Sequence, residues 1–536
     1  MDSFKLCGII YLCGMFLRGS ISTLIPFLLV TGSLAQIQGT DTLYRPSELH
    51  YFSAMEKGSF AGYFGGQPDY LRMILSVDAG SREEEAAVYR DWIGDIVREI
   101  RYGKFDRLSE VKKINQVRST VSRTFVVAFR HQSGFSDLFT HGTYNYFTAA
   151  SLYGFVLDQL GIPYEIREVS TSILLLAYPD SERISIDIEG PGSPFFMFAH
   201  DTRENFIEFL RESKTVDDAT FASTTSRVLF DRYYFADYGL TIRDMIGMMY
   251  LNSAIEYLNR GMPEDAYDQL EKAFILHPSS KSQYLLLAHL NSFLATMDYH
   301  NPRGLGYLIK ASRLIGFGVG RELILTYLKD IIHDVLIEAQ DMEGMKYIYD
   351  YLQEYLADAA VKKEFNYLYD YETGRLHYNE ERYAKALEFF ESAYRLKPGD
   401  ANVQDALTKA LAAYSINTSP GMALEKIDYF DTACTEILSH ELYIAVKQQV
   451  CLDFFGEAFQ LQDGQNGERY MAIFEEITDR YPENKVDYLA VGRSYSSAAI
   501  YYYRQGQVQK SKKVLEKGLE YAPHNIELKL KLKSFE

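Results

Sequence analysis

Two pairs of residues have the types that could move a proton: Ser151 with His141, and His131 with Asp137. A hydrolase would set such a serine on a G-x-S-x-G elbow, which lifts the hydroxyl out of a sharp strand-to-helix turn. Ser151 instead follows Ala149 and Ala150 inside an apolar run, the setting of a packing residue. His200 beside Asp201 reads as a surface turn pair. Asp187 and Glu189 flank Ile188, so both fall on one side of a strand, where two carboxylates can hold a cation or meet solvent; an exposed strand face is the expectation. Thiols are confined to Cys7, Cys13, Cys434 and Cys451, and the last two, 17 residues apart, are spaced so that a disulfide is conceivable but not indicated. The sequence has no zinc-type ligand cluster and no glycine-rich phosphate loop, so neither a metal nor a cofactor is expected.

The elements that would position these residues lie between 141 and 190, where helix and strand signals mix. Residues 145–160 keep Phe147, Ala150, Gly154, Leu157 and Leu160 on or near one helical face, and Gly161 stops them. Strands are expected over 163–169, 173–178 and 184–188. In the last of these Ile184, Ile186 and Ile188 alternate with Ser185 and Asp187, and the turn-rich 179–182 makes the last two strands a hairpin. The block is a small sheet on a helix. Ahead of it, residues 36–78 are rich in Gly, Tyr and Ser without a period and read as a loop-rich lead-in. Residues 83–100 read as a helix with Ala87, Trp92, Ile93, Ile96 and Ile100 inward, and a second helix follows around 109–127.

The run Gly142, Thr143, Tyr144, Asn145, Tyr146, then Leu152 and Tyr153, then Leu160, Gly161, Ile162, Pro163, Tyr164, Glu165, Ile166 resembles the core of the transglutaminase-like domains of the papain-like superfamily. The resemblance covers about 80–215. It implies a cysteine at the start of the helix, a histidine on the next strand and an acid on the one after. Those positions fall on Tyr146, Ser172 and Asp187. A phenol with a pKa of about 10 is protonated at neutral pH, and a serine cannot take up a proton as imidazole does. The resemblance therefore implies a fold without its acyl-transfer chemistry, because loss of the nucleophile or base of such a unit costs on the order of a million-fold in rate.

Beyond about 240 the strand signal stops and short helices recur. Three windows share one spacing: Ala254, Tyr257, Ala266, Leu270, Ala273, Pro278; Gly374, His377, Ala386, Phe390, Ala393, Pro398; and Ala499, Tyr502, Ser511, Leu515, Gly518, Pro523. The offsets are +3, +12, +16, +19 and +24 in all three. Two antiparallel helices approach closely only where a small residue meets a large one, and such a pair must stack on neighbours to bury its other face. Helix pairs are accordingly expected over 280–317, 320–355, 401–438 and 441–482, the last closing on Tyr470, Phe474, Ile477 and Pro482 with the same final offsets. These windows resemble tetratricopeptide repeats, and 525–536, with Lys529, Lys531 and Lys533, reads as a solvated cap.

The expected fold class is thus a small α+β transglutaminase-like domain followed by an all-α tetratricopeptide-like solenoid. The divisions are 1–35 signal peptide, 36–78 lead-in, 79–215 degenerate domain, 216–239 linker helix and 240–536 repeats. An apolar stretch at 21–30, after Arg18 and before small residues, gives the signal, with cleavage near Ala35; an uncleaved N-terminal membrane anchor is the other reading. Composition is ordinary for a globular chain, with 47% hydrophobic residues. A net charge of −18 argues against a binder of nucleic-acid phosphates. The combination resembles envelope proteins of Bacteroidetes-type bacteria. It implies an exported, periplasmic or envelope-associated, non-catalytic scaffold that takes a protein or peptide partner. The competing expectation is an envelope hydrolase or acyl-transfer enzyme with an unconventional nucleophile. Forty-three Tyr against one Trp fit helix packing better than sugar stacking.

Overall fold

Side-chain caps set the helix starts, and the first of them corrects the reading of the lead-in. Ser53 accepts from the Glu56 N–H (3.1 Å) and so caps the helix Ala54–Phe64, while Glu56 reaches past the cap to accept from the Phe52 N–H (2.6 Å). Asp69 likewise caps Tyr70–Ser76 through the Arg72 N–H (3.2 Å). The expected loop therefore holds two helices. Gly58 belongs inside the first because the Arg72 guanidinium fills the space where a side chain would sit.

The structure is a computed structural model and describes residues 43–78, 80–169, 172–188, 200–213, 215–234 and 239–535. The expected export segment and Glu189 lie outside the described residues. The described residues are mostly helical, 73%, with few short strands. Among the described residues no helix is long and apolar enough to cross a membrane. Two compact units divide it, one ending at Ile324 and the other beginning at Leu325.

In the first unit, helix Glu83–Arg101 buries Ala86, Tyr89, Ile93, Ile96, Val97 and Ile100. Ala87 is exposed and Trp92 remains 38% exposed, so the N-terminal half of the expected face is rotated. The reason is Tyr89, whose ring stacks on Phe139 at 4.7 Å and takes the inward position. Helix Glu110–Thr124 follows. Two parallel two-residue strands, β1 (Ala128–Phe129) and β2 (Thr143–Tyr144), lead into helix Tyr146–Leu160, which Gly161 ends in the left-handed region at φ 69°. Next come β3 (Tyr164–Val169), β4 (Ser172–Ala177) and β5 (Ile184–Asp187), an antiparallel sheet in that order. Ile166 pairs with Leu175, and Leu175 with Ile186. These three and Ile173 are buried, and Tyr164, on the same parity, donates to Asp158 of the helix (3.2 Å). That face is the one laid on the helix. His200 and Asp201 open the helix His200–Glu212 and are not a turn pair. Helices Asp218–Ser223 and Ser226–Tyr234 follow, then the pair Ile242–Asn259 and Pro263–Leu276, then Ser280–Ala295 and Pro302–Arg313.

The second unit is a series of helix pairs. After Met342–Tyr355 come Ala359–Asn379 with Tyr383–Leu396, Ala401–Ile416 with Pro420–Ala433, Glu441–Gln460 with Gly464–Arg480, and Tyr488–Arg504 with Val508–Tyr521. Ile526–Lys533 closes the series. Small-to-large seams recur: a Cβ on Gly374 would lie 2.8 Å from the Phe390 ring, and one on Gly518 would lie 2.8 Å from Tyr495. Four turns share one hydrogen-bond pattern: Met262 N–H to Tyr257 O (2.9 Å), Arg382 to His377 (2.8 Å), Asp463 to Ala458 (2.9 Å) and Gln507 to Tyr502 (2.8 Å). The residue before each donor is left-handed: Gly261 (φ 73°), Glu381 (φ 60°), Gln462 (φ 65°) and Gly506 (φ 72°).

That register corrects the reading of the window closing at Pro482. Its second helix, Gly464–Arg480, has 17 residues where the three signature windows have 14, so offsets counted back from Pro482 stop short of the turn, inside the helix. The close approach is made at Gly467, whose Cβ would sit 2.9 Å from the Phe459 ring.

Candidate functional site

Asn145 builds the start of the site helix. Its side chain accepts from the N–H groups of Phe147 (3.0 Å) and Thr148 (2.9 Å), and Thr148 Oγ1 accepts from the Asn145 N–H (2.9 Å). Asn145 Nδ2 donates to Ser133 O (2.9 Å), which fastens the preceding turn to the helix. Tyr146 therefore stands at the first helical position, where the backbone amides favour negative charge. It is a buried ring, edge-on to Phe129 with centroids 4.9 Å apart. Desolvation, then the neighbouring Tyr144, raises its pKa above the ordinary phenol value. The group at this position is thus a protonated phenol at neutral pH.

Ser172 is the first residue of β4 and pairs with Val169; Asp187 ends β5 and pairs with Leu174. Their register positions alternate with the helix-facing Ile173, Leu175 and Ile186, so they share the sheet's other parity with Leu174 and Leu176. Ser172 and Asp187 are thereby brought near each other in register.

The other proton-moving pairs do not form as spaced. Ser151 Oγ is fully buried without a hydrogen-bond partner, whereas His141 is 67% exposed on its side chain and pairs with Asp137 (3.2 Å). His131 rests against the Phe129 ring at 4.9 Å, while Asp137 takes the Gly134 N–H (2.9 Å) with its other oxygen. Cys434 and Cys451 are free and buried, and burial pushes each thiol up to about 12, which leaves both as inert packing residues.

Several ionisable clusters escaped the sequence reading. Helix Pro263–Leu276 buries Asp268, Gln269, Glu271 and Lys272 together with its apolar residues. Lys272 pairs with Glu56 (2.7 Å) and lies under the Phe52 ring at 4.6 Å; Glu271 takes Lys310 (2.7 Å), and Arg313 holds Glu48 (2.7 Å). Lys281 and Glu168 form a second dry pair (2.6 Å), and His277 meets Asp244 (3.0 Å). The Ser53-x-x-Glu56 spacing was a legible signal for the helix that supplies Glu56, but its ionic partner 216 residues away was not. Among the described residues, His333, Asp334 and Glu338 bring three possible metal donors within 4.8 Å; all three are exposed and lie on one π-helical turn.

The signature residues lie along the seams. Ala254, Ala266, Leu270, Ala273, Gly374, Ala386, Phe390, Ala393, Ala499, Tyr502, Leu515 and Gly518 are buried, Tyr257, Pro278 and Pro398 are half-buried, and Pro523 is exposed. Successive pairs are clasped by tyrosine hydroxyls on carboxylates: Tyr470 to Asp428 (3.0 Å), Tyr502 to Glu468 (2.8 Å), Tyr521 to Asp479 (2.9 Å), and Tyr394 to Glu436.

Fold and site define a mostly helical protein whose one antiparallel three-stranded sheet, among the described residues, lies against a buried tyrosine-headed helix. No family model matches the chain, and no curated protein matches it.

Proposed function

We propose that this chain is an exported, envelope-associated scaffold that binds another polypeptide through its helical repeats and carries an inactive transglutaminase-like domain. One observation carries the non-catalytic half: a buried, protonated phenol, Tyr146, heads the helix where the resemblance calls for a thiolate. The binding half rests on the serial helix pairs with a shared turn register, since stacked pairs offer a long row of side chains to an extended or helical ligand. First helices of the second unit start at 359, 401, 441 and 488, spacings longer than the roughly 34 residues of a tetratricopeptide unit. The resemblance to those repeats that supports this reading is in seam and turn, with longer helices between. Exposed Arg375, Lys409 and Arg493, one on each of three first helices, are the side chains such a ligand would meet.

Capture from an envelope extract with the whole chain tests the binding half. A defined polypeptide should be retained, and the triple variant R375E/K409E/R493E should lose it. A fluorogenic amide and ester panel tests the other half: no turnover is expected, and turnover abolished by Ser151→Ala or His141→Ala would overturn the reading.

A further inference from the structure

Residues 133–137 make a tight turn in front of the site helix, and two carboxylates are held on its backbone. Asp137 Oδ2 accepts from the Gly134 N–H (2.9 Å) and Asp78 Oδ2 accepts from the Phe135 N–H (3.0 Å), so adjacent amides hold one carboxylate each. The fit is close enough that a Cβ on Gly134 would collide with the Asp78 carboxylate. Asp78 reaches the turn from the stretch joining Tyr70–Ser76 to Glu83–Arg101. The turn in turn is fastened to the site helix. Asn145 holds Ser133 O, Ser133 Oγ donates to Thr143 Oγ1 (2.8 Å), and the buried Phe135 ring lies against Phe139 (5.7 Å) and Phe155 (5.8 Å).

The groups acting on Asp78 are acids and phenols. Helix Glu83–Arg101 presents Glu85 and Tyr89, helix Ile242–Asn259 presents Glu256 and Tyr250, and the turn presents Asp137. Of these acids, Glu256 pairs with Arg260 (3.1 Å) and Asp137 with His141 (3.2 Å). Two carboxylates held on consecutive amides repel each other when both are ionised. Desolvation, opposed by the Phe135 N–H and reinforced by Asp137, Glu256 and Glu85, pushes Asp78 up to about 7.

We propose that Asp78 is a proton-operated latch on the 133–137 turn, closed while its carboxyl is protonated and loosened when it ionises against Asp137, Glu85 and Glu256. The sign follows from linkage. Below the ordinary value of 3.8 folded and unfolded chains both carry the proton; from there to about 7 only the folded chain does. The stability that the raised value contributes falls off across that interval, and the folded chain itself gives up the proton, and with it the closed latch, as pH passes about 7. Because the same turn is pinned to Asn145, the entrance to the site helix becomes looser in neutral and alkaline conditions than in acid.

The chain carries its own reporter, since its single tryptophan, Trp92, lies 5.6 Å from the Phe139 ring. Trp92 emission and amide exchange over 131–140 are followed in the full chain from pH 5 to 9. A single transition centred near 7 is expected, with faster exchange on the alkaline side. Asp78→Asn keeps the acceptor for the Phe135 N–H without the charge, and should give slow exchange and flat emission at every pH. Asp137→Asn should move the midpoint down. His141→Gln should leave the transition in place, which separates it from imidazole titration. A transition unchanged in Asp78→Asn, one lost in His141→Gln, no transition in the native chain, or an Asp78→Asn chain that fails to fold would each overturn the proposal, because a neutral group at 78 is what the closed latch requires.

Discussion

Helices Pro263–Leu276 and Val508–Tyr521 have the same length and the same small-and-large offsets, yet their polar sides meet opposite fates. In the first, Asp268, Glu271 and Lys272 are sealed from water; in the second, Lys510, Lys513 and Glu516 are bathed in it. The periodic residues decide how a helix seats on its partner. They say nothing about what covers the far side, which in the first case includes Glu56, Phe52 and Lys310. An ion pair in such a place is held by geometry more than by net energy, since removing two charges from water offsets much of their attraction.

The sharpest way to break the comparison is to remove one charge from each helix. Lys272→Met leaves Glu56 buried and unpaired and should cost about 3–5 kcal/mol in denaturant unfolding, while the companion Glu56→Leu should recover most of the loss. Lys510→Met, whose partner Glu468 is exposed, should cost less than about 1 kcal/mol. Equal effects at the two sites would remove the distinction drawn here. Next in size is the seam the helices have in common: Gly374→Val drives a side chain into Phe390 and should destabilise by about 1–3 kcal/mol, visible as a lowered urea midpoint with unchanged slope.

Smaller effects sharpen the solvent-facing side. Tyr502→Phe removes one hydroxyl from Glu468 and should cost about 0.5–1.5 kcal/mol. Lys510 and Tyr502 hold Glu468 below the usual glutamate value, and Tyr394 does the same for Glu436. Their stabilisation is full above the ordinary 4.5 and is lost as pH falls through the lowered folded values, so Tyr502→Phe should also flatten the acid limb of an unfolding series. Last, Gln462→Gly should stabilise by about 0.5–1 kcal/mol, because it relieves a side chain in the left-handed region that Gly261 and Gly506 occupy without strain. A destabilising result there would mean the Gln462 side chain contributes more than its backbone costs.

How much of this was legible depended on whether the signal was local. The β4–β5 hairpin could be read from Ile184, Ile186 and Ile188 alternating with polar residues beside a Pro-Asp-Ser-Glu turn, and the seams could be read from Gly374 and Phe390 sixteen residues apart. The helices at 54–64 and 70–76 were hidden by glycine and tyrosine content, although Ser53 with Glu56 announced the first. Spacing alone puts Trp92 inward, but Tyr89 takes that place because Phe139, arriving from far along the chain, offers a stacking partner. At the candidate site, Tyr146 and the absence of any cysteine from 14 to 433 were plain in the sequence. The strand parity of Ser172 and Asp187, and the company kept by Asp78 and Lys272, depend on pairings that no local pattern encodes.

The hydroxyl-to-carboxylate clasps give the chain's acidity a second use. Each joint between neighbouring pairs has its own fastening, so the array can yield at a single junction, as a zip opens at one tooth, while the pairs on either side keep their seams.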